Sequence, residues 1–198
     1  MSNAAELIER YVLGKDCNRP HLLEGVFTQD VTLTMDVQTP DITFPAHAKG
    51  LEPVSEIVCR RLNQRFENIY TFCFAPRPAT AGQHFSCGWM VVMSEKDGGN
   101  VRAGGGWYDW ELTGDLMRVS ALRITVSTMD TFKPETLAPI MTWRSQQGYP
   151  WCDRTQAEET SIAIPALNTT LFTLRTAYER EQQTLASSSL APTLTKHG

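Results

Sequence analysis

No run of about 18 apolar residues occurs in the 198-residue chain, which argues against a membrane-spanning helix. Basic residues form no long run either. Eighteen of them are scattered among 22 acidic ones, for a net charge of −4, so nothing gathers to meet a phosphate backbone and no nucleic-acid partner is expected. The opening MSNAAELIER carries acids where a secretory leader has basic and then greasy residues, so the expected location is cytoplasmic. Cys17, Cys59, Cys73, Cys87 and Cys152 are odd in number, widely spaced and without a CxxC pair, and read as reduced thiols that mostly fill core. His21, His47, His84 and His197 show no HExxH or HxH spacing, so no metal is expected. Gly104-Gly105-Gly106 is followed by no helix and is no nucleotide cradle; inside a strand it predicts a bend, a bulge or a close backbone approach. No internal repeat is present.

What is present is centred on Gly104 to Val126, GGGWYDWELTGDLMRVSALRITV. It alternates, breaks at Thr113-Gly114-Asp115 and alternates again, which predicts two long strands joined by a tight turn. Tyr108, Trp110 and Leu112 fall on one face of the first strand, Trp107, Asp109 and Glu111 on the other.

Upstream, Leu7, Ile8, Tyr11 and Val12 form the stripe of a helix over Ala4–Leu13, with Asn3 as N-cap and Gly14 near its end. A second helix is predicted over Arg19–Phe27, a strand over Val31–Val37, and a loop or irregular hairpin over Gln38–Lys49. A third helix spans Gly50–Phe66. Strands follow over Asn68–Ala75, Gln83–Glu95, Val101–Leu112 and Met117–Met129, with turns at Arg77–Gly82 and Lys96–Asn100. Helices come first and a meander last, which predicts an α+β fold with helices on one face of a curved sheet. Beyond Asp130, a helix is predicted over Leu137–Gln147 behind a Thr136 cap. A proline loop with Tyr149 and Trp151 follows, then a helix over Pro165–Leu185 and a Ser/Thr-rich tail from Ala186.

This order resembles the nuclear transport factor 2-like fold, in its SnoaL-like branch. The resemblance rests on RYVLGKD (Arg10 to Asp16), FTQDVTL (Phe27 to Leu33), Gly50 opening the third helix, and GWYDWEL followed by RVSALR. It implies a curved antiparallel sheet wrapped on three N-terminal helices, a cone-shaped barrel, over residues 1–130. A C-terminal helical extension over 131–185 and a flexible tail over 186–198 lie outside it. It also implies a homodimer through the outer sheet face and a small-molecule ligand, with no cofactor. Relatives include polyketide cyclases, ketosteroid isomerase, scytalone dehydratase and limonene epoxide hydrolase, and also non-catalytic subunits and binding modules. By resemblance to ketosteroid isomerase, Tyr11 takes the place of its helix tyrosine and Tyr108 that of its oxyanion-hole aspartate. Met35 takes the place of its general base, with Asp36 one residue off; only a bulge would turn Asp36 inward.

The candidate site residues each carry two readings. Tyr11 and Tyr108 are hydroxyl donors to a ligand or packed core tyrosines. Asp36 is a general base if buried, or a strand-end acid in water. His47 is a proton shuttle at the cone mouth, or a loop histidine. Met35, Phe66, Phe72, Trp89 and Trp110 are pocket walls or plain core, and Arg123 anchors an acidic ligand or an ion pair across the sheet. Asp16 reads as structural. Two functions compete: a cofactor-free lyase, isomerase or cyclase on a small apolar carbonyl or hydroxyl compound, and a non-catalytic dimeric binding or structural subunit.

Overall fold

The computed structural model of the chain describes residues 3–79, 82–113 and 117–189. Gly114 and Asp115 of the expected turn lie outside the described residues, as do residues 80 and 81 of the turn expected over Arg77–Gly82 and all residues from 190 on.

Asn3 caps α1 (Ala4–Asp16) by accepting from the Glu6 amide at 2.9 Å. Ala4, Leu7, Ile8, Tyr11, Val12 and Lys15 are buried at helical spacing and turn one stripe to the sheet. The helix runs past the expected end at Leu13 because Lys15 and Asp16 are themselves buried and bonded to each other. A 3₁₀ helix, Pro20–Gly25, replaces the α-helix expected over Arg19–Phe27.

The strand β1 (Phe27–Val37) pairs antiparallel with a short β2 (His47–Lys49), which lies at the end of the expected loop. The next helix is continuous but not uniform. α2 (Leu51–Ser55) passes into a π-helical turn, Glu56–Arg60, and then into α3 (Arg61–Arg65). Phe66 opens β3 (Phe66–Phe74) rather than closing the helix. β4 (His84–Glu95), β5 (Val101–Thr113) and β6 (Arg118–Phe132) complete the expected meander.

The sheet order is β2-β1-β6-β5-β4-β3. One pairing departs from the all-antiparallel expectation: β1 runs parallel to β6. The chain leaves β1, crosses through the helices and re-enters at the far edge, so β1 meets the end of the meander side by side. The sheet curves and stays open. A register shift between Gly105 and Gly106 marks one bend. A Cβ on Gly106 would drive into the Thr125 carbonyl oxygen, and one on Gly105 into that of Trp89, so only glycine fits where these strands close up.

The extension forms α4 (Leu137–Ser145), α5 (Arg154–Ser161) and α6 (Pro165–Ser189), joined in part by a loop with a cis Tyr149-Pro150 bond. The sheet therefore separates two apolar layers. The inner one holds Ile8, Tyr11, Val12, Leu33, Trp89 and Tyr108. The outer one packs Phe72, Met90, Val92 and Trp107 against Trp143 and Tyr178 of the extension. Tyr178 lies over Gly88, and its hydroxyl donates to the Trp89 carbonyl at 2.7 Å.

The extension takes up part of the face expected to carry a homodimer. The apolar outer face over β3, β4 and β5 is covered by the chain's own helices. Over β1 and β2 that face presents Thr32, Asp36, His47 and Lys49, polar and at least partly exposed. No helix among the described residues is long and apolar enough to cross a membrane.

Candidate functional site

Tyr11 and Lys15 lie one turn apart on the inward stripe of α1, and both line a cavity of about 50 Å³ between the helices and the inner sheet face. The sheet supplies Met35, Trp89, Val91, Met93, Tyr108 and Ile124 to its walls, with Val126 and Met129 beyond them. The π-helical turn supplies Ile57 and Val58, and α3 supplies Leu62. Ile42 and Phe44 close the mouth from the loop between β1 and β2. Ile42, Phe44, Ile57 and Leu62 also wall a second hollow of about 140 Å³, so they partition the cavity from the outer mouth. The mouth loop is held from the sheet, where the Arg102 guanidinium donates to the Asp41 carbonyl at 2.6 Å.

Four of the expected residues meet at the cavity: Tyr11, Met35, Trp89 and Tyr108. The Tyr108 ring stacks on Trp89 with centroids 5.0 Å apart, and Tyr11 meets Tyr108 edge-on at 6.1 Å. Burial pushes both phenols well above the ordinary tyrosine pKa, and the neighbourhood of Tyr11 pushes Tyr108 further, so both stay protonated and able to donate. The Tyr11 hydroxyl is buried without a hydrogen-bond partner among the described residues. Leaving such a group dry and unpaired costs about 1–3 kcal/mol, which favours any acceptor that reaches it.

The other six stand elsewhere. Trp110 is fully buried behind the cavity, edge-on to Tyr11 at 4.9 Å, and packs the ring cluster rather than walling the space. Phe66 lines the outer hollow. Phe72 points to the opposite face of the sheet and packs on Trp143 at 5.7 Å, because β3 is covered on both sides. Asp36 faces away from its neighbour Met35. The register of β1 on β6 is unbroken from Thr32 to Val37, and the irregularity falls earlier, between Phe27 and Thr32, so no bulge turns Asp36 inward. Its carboxylate accepts from Arg123 at 3.3 Å and from Gln38 at 3.2 Å, which places Arg123 outside the cavity as well. His47 is exposed on β2 beside Thr34, on the side away from Met35.

Lys15 was not among the expected site residues, although its spacing from Tyr11 marks it. Its ammonium donates to Asp16 Oδ1 and to Thr71 Oγ1, both at 2.6 Å. Asp16 also accepts from the Thr71 amide at 2.6 Å, the Thr71 hydroxyl at 2.9 Å and the Tyr149 hydroxyl at 2.8 Å. The structural role expected for Asp16 is thus to bind Lys15 and anchor the extension through Tyr149. The side chains of the pair are 7% and 1% exposed, a depth at which a charge persists only when paired and bonded. Among the described residues, no cluster of three or more His, Cys, Asp or Glu side chains is placed to hold a metal.

No family model matches the chain, and neither does any curated protein. Solved structures do. A nuclear transport factor 2-like superfamily protein from Salmonella enterica serovar Typhimurium superposes with a TM-score of 0.50 at 17% identity, over 63% of this chain and 88% of that one. A computationally designed 17-OHP binder superposes with a TM-score of 0.51 at 12% identity, over 66% of this chain and 99% of its own. At these identities the likeness establishes the fold. About a third of the present chain lies outside each match.

Proposed function

We propose that this chain, whose fold is that of the nuclear transport factor 2-like proteins, binds a small apolar molecule in the cone cavity. The observation that carries the reading is the Tyr11 hydroxyl, unpartnered among the described residues, at a wall that is apolar apart from it, Tyr108 and Lys15. An apolar pocket with few convergent polar groups is the usual form of a small-ligand site. At about 50 Å³, several times what one water needs, the cavity suits a ligand of a handful of heavy atoms. The fold is also one on which a 17-OHP binder has been designed.

Binding is favoured over a lyase, isomerase or cyclase reaction. Asp36 and His47, the groups that would move a proton, are outside the cavity, and no carboxylate or imidazole is among the described residues lining it. We assign residues 1–130 to the ligand-binding cone and the extension to a cover for its outer face over β3, β4 and β5.

Methyl NMR of methionine tests the reading. Met35, Met93 and Met129 line the cavity, and Met141 packs in the outer layer. Titration with 2-methyl-1-butene, an apolar molecule of suitable size, is expected to shift the first three saturably and leave Met141 unmoved. Absence of a saturable shift at those three would sink the ligand reading.

A further inference from the structure

We infer that the hollow of about 140 Å³ outside the cone is the head-group half of one binding site, and that the whole ligand is a straight-chain carboxylate whose tail lies in the cone. The inference rests on the ligand-binding reading above and deepens it: the apolar guest of the cone is the end of a longer molecule.

The two spaces share their walls. Ile42, Phe44, Ile57 and Leu62 line both, so a single layer of side chains stands between them. Ile42 and Phe44 lie between two ties of the mouth loop. One is the Asp41 carbonyl, which accepts from Arg102 at 2.6 Å; the other is the Ala46 carbonyl, which accepts from the Met35 amide at 2.8 Å. Residues 42–45 between these ties make no hydrogen bond among the described residues, and a stretch so loosely tied opens at low cost. Ile57 and Leu62 share a wall because of the π-helical turn. Its amide-to-carbonyl bonds reach back five residues, as from Arg61 to Glu56, and Leu62 follows Ile57 by the same step.

Charge distinguishes the hollow from the cone. Arg61 and Arg65, one turn apart on α3, line it, and its described lining residues include no carboxylate. Arg60 pairs with Glu52 at 2.8 Å and Arg61 with Glu56 at 3.3 Å. The Arg65 guanidinium stands 5.3 Å from the centre of the Phe66 ring and pairs with no carboxylate among the described residues. One positive charge is thus left over at the rim, and it matches a head group with one negative charge. A guanidinium meets a carboxylate fork to fork. The tail then crosses the shared layer to reach Met35, Met93 and Met129 on the cone wall.

The test uses the full chain with octanoate, butanoate, 1-octanol and octylammonium. Methionine-methyl and arginine Nε–H NMR signals give dissociation constants, and intermolecular NOEs give the orientation. The terminal methyl of octanoate is expected to show NOEs to the cone methionines, and its C2 protons to the Phe66 ring. Each buried methylene strengthens binding about fourfold, so octanoate should bind about a hundredfold or more tighter than butanoate. It should bind about fivefold tighter than 1-octanol, the increment of an exposed ion pair, and that advantage should shrink in about 1 M salt. Octylammonium should be the weakest of the eight-carbon molecules. Arg65 is exposed, so Arg65→Gln should fold and bind 1-octanol as the parent does, while the advantage of octanoate disappears. Octanoate no tighter than 1-octanol overturns the proposal. So do terminal-methyl NOEs confined to the hollow, or an undiminished advantage in Arg65→Gln. In each case binding of 2-methyl-1-butene at the cone methionines leaves the ligand reading standing; loss of that binding too overturns both.

Discussion

The Tyr149 hydroxyl donates to the Asp16 carboxylate across 2.8 Å, although 133 residues separate them in the chain. The contact ties the proline loop of the extension to the end of the first helix, and Trp151 repeats the tie two turns back by donating to Glu9 at 2.7 Å. Tyr149→Phe keeps the ring between Tyr70 and Phe72 and removes only the donor. A hydrogen bond to a charged group is worth about 1.5–3 kcal/mol. Urea unfolding of this variant is expected to show a loss in that range with an unchanged slope.

Asp16→Asn should be more damaging. It strands the Lys15 ammonium at a site where both side chains are buried. Removing one partner of such a pair costs about 3–5 kcal/mol. Lys15→Met/Asp16→Asn removes both charges and is expected to recover a large part of the loss. A double variant no better than Asp16→Asn in thermal melts would show that the charge pair is not what Asp16 contributes.

Alkaline pH should unfold the protein through its phenols. Burial pushes Tyr11, Tyr108 and Tyr178 well above the ordinary value near 10. A raised folded pKa means the native state keeps a proton that the unfolded chain loses. Stability from these groups is therefore constant below about pH 10 and falls above it, by about 1.4 kcal/mol per pH unit for each phenol and about 4 for the three. Tyr149 is shifted the same way but is a third exposed, so its share is smaller. Denaturant midpoints from pH 8 to 12 check the sign; a midpoint that holds steady above pH 11 would contradict it.

Gly106→Ala is expected to cost about 3 kcal/mol or more, or to prevent folding, because its Cβ would meet the Thr125 carbonyl in the tightest part of the sheet. Gly82→Ala meets nothing nearer than 3.9 Å and should stay within about 0.5 kcal/mol of the parent. Chemical unfolding of the two side by side separates close approach from a general intolerance of alanine.

Sedimentation velocity should find a monomer of 22.2 kDa over a wide concentration range, since the apolar outer face is already covered. A stable dimer commonly buries about 800 Å² per partner. A dimer that persists on dilution would require a surface other than that one.

The fold was legible in the sequence because its signals are periodic. The stripe of Leu7, Ile8, Tyr11 and Val12 and the alternation through Tyr108 and Trp110 both lead to buried faces. The site was only half legible, and the reason is the extension. β3, β4 and β5 are covered on both sides, so apolar residues occupy both faces and alternation no longer marks the cavity side. Tyr70, Phe72 and Phe74 do share one face, but it is the outer one, where they meet Tyr149, Trp143 and Tyr178. α5 is not legible because RTQAEETS has no apolar stripe; only Ala157 and Ser161 are buried. Lys15 is not legible because a lysine near a helix end reads as a solvated charge until Thr71, from distant sequence, is brought against it and the neighbouring Asp16.

At Trp89, one peptide unit of β4 has the Tyr178 hydroxyl on its carbonyl and an indole in the cavity wall. The partition between hollow and extension is there a diaphragm a single residue thick. An occupant that displaces this residue would strain the bond its carbonyl accepts from Tyr178, so filling the cone is expected to alter amide-exchange protection in α6.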